Sequence, residues 1–439
     1  METPASFFDS KKGDPMTTTT PSIPSHRMKP VLTGTQVFAI LLIPAVWLID
    51  STIMAPALGL IAQANHASTF WVNVVFTIPY PTAIIFSSLS GRLSRRIDKR
   101  TLAVTGLVIY GVSGIIPAFT GTLLVIFFLR LVTGIGLGLA LPIPNIYIAD
   151  QYSAEKREKM LGYASVVAQA ANIAVLLVAG QLISIGWRDT FYEYAFILII
   201  AVVCLWWLPT SPRPRGEEPA VAATAAPWTR GEVLAVAGLA VSMTAVFICF
   251  TIAAANISPI VVTYKLAAVS SLGYLGIAPA AGVIIGSFLS ERLRVLLRAW
   301  LVVLALALMG AGFLAFSVVG GWLGVEVSTG IVGVATGLLT PYLLNLTTLR
   351  VSADHKGLAL GIVSGSIDFG ILLFPYVQQL IGYLTKDTDL KFLFTVVGVI
   401  TFTAAAVAVV VIVARHATAW ARRSASAAMV PSAAFERQL

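Results

Sequence analysis

Residues 36–61 read QVFAILLIPAVWLIDSTIMAPALGLI, and the one ionisable side chain among them is Asp50. At about 1.5 Å per residue, a helix of this length exceeds the roughly 30 Å hydrocarbon core of a bilayer. Stretches of similar character recur at 69–90, 101–119, 123–148, 159–185, 190–208, 231–262, 269–290, 299–319, 322–346, 358–383 and 391–414. Each predicts a membrane-spanning helix, because backbone groups facing lipid must find their partners within their own segment. A barrel would need strands of about ten alternating residues, and runs such as VVLALAL at 302–308 do not alternate. The fold class expected is an all-α membrane protein with twelve transmembrane helices.

Composition agrees. Hydrophobic residues make up 57% of the 439 and charged residues 11%, against about 25% charged in a soluble domain. The basic residues are unevenly placed. Arg188, Lys265, Lys386 and Lys391 fall in one set of alternate loops and Arg130 inside the fourth stretch, while all other Lys and Arg fall in the opposite loops and the two tails. Lys and Arg near helix ends are retained in the cytoplasm, so both termini are expected there. The formal charge of +9 is a topological signal, and the short basic loops make no case for nucleic acid. Cys204 and Cys249 lie in apolar stretches, and His26, His66, His355 and His416 are scattered over tails and loops. No metal site or hydrolytic cluster follows from them, and no enzyme is expected.

The longest polar interruption, PTSPRPRGEE at 209–218 followed by an Ala-rich run, divides the stretches six and six. Short likenesses fall at equivalent places in the two halves. Ser153-Ala-Glu-Lys-Arg157 follows the fourth stretch and Ser352-Ala-Asp-His-Lys356 the tenth, with Pro144 and Pro341 before them. Gly162 and Ser165 beyond the first match Gly361 and Ser364 beyond the second. Related halves are a common construction of transporters. The expected organisation is a disordered cytoplasmic tail (1–33), an N-terminal six-helix bundle (34–208), a cytoplasmic linker (209–229), a C-terminal six-helix bundle (230–414) and a second cytoplasmic tail (415–439).

Gly91-Arg-Leu-Ser-Arg-Arg-Ile-Asp-Lys-Arg100 joins the second and third stretches, and Arg130-Leu-Val-Thr-Gly-Ile-Gly-Leu-Gly138 lies in the fourth. Both resemble patterns of the major facilitator superfamily, a likeness that extends over nearly all of 35–414. In the loop, Arg95 stands where the family pattern has an aspartate and Asp98 where it has a second glycine. Leu48-Ile-Asp-Ser-Thr-Ile-Met-Ala-Pro-Ala57 is similar to the first-helix pattern of the drug:proton antiporter branch. The fifth stretch, IAVLLVAGQ at 173–181, lacks the Gly-Pro and Gly-Gly elements which that branch tends to carry. The resemblance implies the major facilitator fold of two six-helix pseudo-repeats, transport by alternating access, and no cofactor beyond a proton gradient as driving force. It also implies a gating loop comprising Gly91, Arg95, Arg96, Asp98 and Arg100.

An ionisable group in hydrocarbon costs several kcal/mol and faces the bundle interior or a wet cavity. Asp50 lies about 21 Å into its helix and Asp368 about 15 Å into the eleventh. With Arg130 they are the candidate proton-coupling residues. Polar and aromatic groups available to a substrate cavity are Trp47, Asn73, Tyr80, Asn145, Gln169, Asn172, Asn256, Tyr376 and Gln379. Glu193 and Glu326 fall near outer helix ends, where solvent is expected to reach them. The reading is a monomeric, multi-pass transporter of a bacterial inner membrane that couples protons to efflux of amphipathic compounds or drugs. The alternative is a symporter or facilitator for a polar metabolite. Its partners are then a small-molecule substrate, protons and the bilayer.

Overall fold

The computed structural model describes residues 32–94, 96–152, 154–210, 227–268, 271–272, 274, 276–318, 321–352 and 355–428. The expected N-terminal tail up to residue 31, most of the linker and Arg95 lie outside the described residues, as does the side chain of Gln169. The described residues are helical with no strand. The α-helices are α1 (Gly34–Leu42), α2 (Ala45–Ala64), α3 (Thr69–Thr77), α4 (Pro79–Leu93), α5 (Lys99–Ile115), α6 (Leu123–Ala140), α7 (Pro142–Gln151) and α8 (Ala154–Ile185). They continue with α9 (Ala195–Trp207), α10 (Arg230–Ala255), α11 (Ile257–Tyr264), α12 (Ile277–Leu297), α13 (Trp300–Val318), α14 (Gly321–Arg350), α15 (Lys356–Thr385) and α16 (Leu390–Ala428). Short 3-10 turns cover Ile116–Ala118 and Asp189–Tyr194.

Several predicted stretches are split where proline removes a donor and crowds the preceding turn. Pro44 divides α1 from α2, Pro79 divides α3 from α4, and Pro142 divides α6 from α7. Two capping boxes fix helix starts at the end of the molecule that carries the basic segments: Thr33 with Gln36, and Thr229 with Glu232.

Ten helical segments of the described residues are long and apolar enough to cross a membrane. The predicted stretches 269–290 and 299–319 are not among them. The first corresponds to α12, which starts later, at Ile277, and runs on to Leu297 through Glu291, Arg292 and Arg294. Serines and glycines at 269–276 are poor helix formers, and the charged residues add polarity to its last turns. The second corresponds to α13, whose apolar part is Trp300–Phe316. The last helix also departs from expectation, since α16 continues past residue 414 to Ala428, into the segment read as a tail. Large apolar side chains such as Ile85, Phe128, Trp206, Phe288, Leu384 and Val410 are exposed, as a lipid-facing surface requires.

The two halves pack by corresponding pairs. In the first, α4 and α5 pack on α6, α5 on α9 and α2 on α8; in the second, α12 and α13 pack on α14, α13 on α16 and α10 on α15. The detail matches too. A Cβ on Gly134 would lie 2.2 Å from the Pro79 carbonyl oxygen, and one on Gly333 would lie 2.3 Å from that of Pro279. The Ser90 hydroxyl donates to the Leu139 carbonyl at 2.8 Å, and the Ser290 hydroxyl to Leu338 at 2.9 Å. Along α6 and α14 the offset between these positions is the one that separates Ser153 from Ser352. Glycine is required at these crossings because the backbones touch.

Candidate functional site

Arg130 is 1% exposed, and all five of its N–H groups are engaged. Nη1 donates to Asp50 Oδ1 at 2.6 Å and Nη2 to Oδ2 at 2.9 Å, a bidentate bridge between α6 and α2. Nη1 also donates to the Tyr194 hydroxyl at 2.7 Å, and that hydroxyl donates to Asp50 Oδ1 at 2.8 Å. Nη2 reaches the Phe76 carbonyl at 3.1 Å and Nε the Val75 carbonyl at 3.4 Å. The local sequence accounts for the last bond: Pro79 has no N–H to return to Val75, four residues earlier, so that carbonyl is free for the guanidinium. Tyr110 packs its ring on Tyr194 with centroids 5.6 Å apart. Both carboxylate oxygens of Asp50 are therefore spent on a cation within the same half.

Asp368 is in a different situation. It is half-buried on α15 and accepts one hydrogen bond, at Oδ1, from the Trp47 indole N–H of α2 at 3.2 Å. That bond joins the two halves at mid-depth, about 18 Å from the start of α15. Gly357, Gly361, Ser364 and Asp368 recur at three- and four-residue spacing, so they share one helix face. The first three line a cavity of about 440 Å³ together with Leu360, Leu344 of α14 and Asn145 and Ile148 of α7. The cavity thus opens between the halves at the end bearing the basic segments, and its α15 wall leads one turn further to Asp368.

At the opposite end the halves meet. The Gly59 N–H donates to the Ser258 hydroxyl at 3.0 Å. Gln378 Oε1 accepts from Asn256 Nδ2 at 3.0 Å and from Asn73 Nδ2 at 3.4 Å, drawing α15, α10 and α3 together. Phe70 meets Tyr376, and Phe76 meets Phe374, edge to face at 5.9 and 6.2 Å.

Of the residues named for the cavity, Trp47 and Asn145 face the space between the halves as described, and Asn73, Asn256 and Tyr376 belong to the closed end. Asn172 is bonded to Thr52 between α8 and α2. Tyr80 is 2% exposed, buried in α4. Gln379 is exposed, and the bridging amide is its neighbour Gln378. Two adjacent glutamines give a sequence reader no sign of which faces inward until the helix phase is known. Ser258 was likewise illegible, since a lone serine in an apolar run carries no functional signal.

In the basic loop, Gly91 is half-buried with open space beside its Cα, and Arg96 is exposed. Asp98 stands at the N-cap of α5, and Arg100 in its first turn is half-buried. Lys99 ties this loop to α7, pairing with Asp150 and lying over the Tyr147 ring at 5.6 Å. Glu193 corrects an expectation. It is 1% exposed, with neither carboxyl oxygen hydrogen-bonded among the described residues, because the turn Asp189–Tyr194 folds it inward instead of into solvent.

A family model described as Major Facilitator Superfamily matches residues 40–375. Among curated proteins, the chain is 27% identical over 208 residues to the 3-(3-hydroxy-phenyl)propionate transporter of Escherichia coli, covering 46% of this chain and 49% of that one. It is 26% identical over 168 residues to multidrug resistance protein 1 of Bacillus subtilis, covering 38% and 43%. The chain spans less than half the length of the curated relatives it matches. Among solved structures it is similar to a bacterial homologue of the human lysosomal transporter Spinster in an inward-facing, unoccupied conformation. There the TM-score is 0.64 at 15% identity, over 85% of this chain and 94% of that one.

Proposed function

The chain belongs to the major facilitator superfamily, and from that premise we propose that it is a proton-coupled exporter of small amphipathic compounds working by alternating access. Twelve membrane helices in two related six-helix halves are part of the proposal, supported by the matched helix pairs and the matched Ser90 and Ser290 bonds. The termini lie in the cytoplasm of a bacterial inner membrane, as the basic loops suggest. The conformation is then inward-facing, with the clasp around Gln378 shut on the outer side.

One observation carries the coupling: Asp368 is a mid-depth acid with no cationic partner among the described residues, and it stands one helical turn beyond Ser364, the last α15 residue that lines the cavity. An acid placed so can take a proton from one side and release it to the other as the halves rock. Asp50 serves instead as the fixed counterion of Arg130. Proteoliposomes holding the purified protein and a pH-sensitive dye test this. Substrate addition is expected to drive proton flux that Asp368→Asn abolishes; undiminished flux in that variant refutes the assignment.

A second reading, symport or facilitated movement of a polar metabolite, draws support from the amide cluster Asn73, Asn256 and Gln378. The Escherichia coli relative, named for an aromatic acid, is also on its side. The sign of proton flux separates symport from antiport, and substrate equilibration without any flux identifies a facilitator.

A further inference from the structure

A second cavity, of about 360 Å³, lies at the closed end between α2 and α11, beside their contact at Gly59 and Ser258. Both halves build its wall: Ala62, Gln63, His66 and Thr69 come from the first, Pro259 and Thr263 from the second. No Lys, Arg, Asp or Glu lines it. Gln63, His66 and Thr263 are exposed and Thr69 is half-buried, and none of these four side chains has a hydrogen-bond partner among the described residues. The helix ending that presents His66 is unusual. The Ala67 N–H returns to the Ala62 carbonyl at 3.0 Å, and His66, just before Ala67, is left-handed at φ 48°. Glycine is the usual occupant of that position, since it has no Cβ to strain; a histidine there brings an imidazole to the cavity wall.

The wall chemistry selects a class of ligand. A carboxamide, a hydroxyl and an uncharged imidazole each offer both a donor and an acceptor. A ligand hydroxyl has the same dual capacity, so a polyhydroxylated molecule can pair with all four side chains at once. An anion finds no cation here and an ammonium finds no acid, so either would leave a charge partly desolvated against neutral groups. Ala62 and Pro259 give apolar surface for the C–H groups of a ring. Because the wall is shared by the halves, the cavity exists only while this end is shut. A ligand bound there favours the shut arrangement by its whole binding free energy.

We propose that this outer notch is a regulatory site for a small neutral polyhydroxylated molecule, a sugar or polyol, whose binding holds the outer side closed and slows transport. The site lies apart from Asp368 and from the inner cavity. It rests on the alternating-access reading for its effect and not for its binding.

The experiment uses the full chain in lipid nanodiscs. Saturation-transfer NMR measures binding of glucose, glucosamine and glucuronate, which share a ring and differ in charge. Glucose is expected to bind, and the amine and the acid to bind about tenfold more weakly. Ala62→Phe fills the notch and is expected to abolish binding. Gln63→Ala and Thr263→Val each remove one polar partner and are expected to weaken it about fivefold. Closure is read separately, as maleimide labelling of a cysteine placed at Thr77, buried on α3 one turn from Asn73, after subtraction of labelling at the native Cys204 and Cys249. In a Gln378→Ala background, glucose at ten times its dissociation constant is expected to slow that labelling about tenfold.

Absence of glucose binding to the unmodified protein, or equal binding of the three sugars, overturns the proposal even if every variant proves unstable. So does binding that survives Ala62→Phe in folded protein, which would put the sugar elsewhere. Binding that leaves Thr77→Cys labelling unchanged, where Gln378→Ala has accelerated it, overturns the regulatory role. If Gln378→Ala brings no acceleration, the clasp fails instead, and the site itself is still decided by whether Ala62→Phe loses glucose.

Discussion

Replacing Asp50 by Asn leaves the Arg130 guanidinium charged, 1% exposed, and held only by neutral acceptors. Breaking a buried ion pair from one side costs about 3–5 kcal/mol. In an unfolding unit of 150–250 residues, each kcal/mol lowers the melting temperature by about 2–4 °C. If the first half unfolds as one unit, Asp50→Asn should melt about 6–20 °C lower, with Arg130→Gln at the upper part of that range because Asp50 is then the unpaired charge. The double variant removes both charges and leaves two amides able to bond each other. Its loss should be smaller than that of either single change, so the coupling in a double-mutant cycle should exceed the larger single loss of about 3–5 kcal/mol. Melting followed by size-exclusion of detergent-solubilised protein, at one scan rate throughout, gives the comparison. Additive losses would refute the isolated-pair reasoning. The same double variant, if folded, is expected to keep substrate-driven proton flux; its loss would return the coupling role to Asp50.

Removing the outer clasp with Gln378→Ala takes one bond from Asn73 and two from Asn256, two of the three being long at 3.4 Å, worth about 1–2 kcal/mol together. The outward-open population should rise about 5- to 30-fold, read as faster labelling of a cysteine placed at Thr77, which is 1% exposed one turn beyond Asn73, and an unchanged rate refutes the clasp. Gly333→Ala puts a methyl against the Pro279 carbonyl and should destabilise by about 1–3 kcal/mol, whereas Gly357→Ala meets nothing within 4 Å and should be neutral or slightly stabilising; equal effects would contradict the packing described. Lys99→Ala should cost no more than about 1 kcal/mol in melting, since its partner Asp150 is solvent-exposed, and a larger loss would mean that the pair is shielded.

Much of this architecture was legible in the residue order. Bilayer thickness sets the length of an apolar run, so helix placement followed from counting, with misses where it gives no guidance: the late start of α12 and the extension of α16. The offset between Ser153 and Ser352 reappeared as the offset between the paired glycine crossings, whereas the breaks at Pro44, Pro79 and Pro142 were not read from the sequence, since Pro56, Pro341 and Pro375 lie inside unbroken helices. The candidate site was less legible. Asp50, Arg130 and Asp368 stood out because charge in hydrocarbon is costly wherever it points, but the sequence favoured Asp50 as the proton site and gave no sign of its bridge to Arg130.

The sequence by itself determined that the chain is helical and membrane-embedded, where ten span-length apolar helices lie, and which ionisable groups are deep, because hydrophobic transfer is a property of each segment alone. Only the tertiary structure decided that Asp50 and Arg130 are each other's partners, that Asp368 meets Trp47, that Gln378 rather than Gln379 closes the far end, and that Glu193 turns inward. Those outcomes depend on helix phase and on which helices become neighbours. Residues 80 positions apart in Asp50 and Arg130, or 321 apart in Trp47 and Asp368, carry no mark of each other until packing brings their side chains within hydrogen-bond distance.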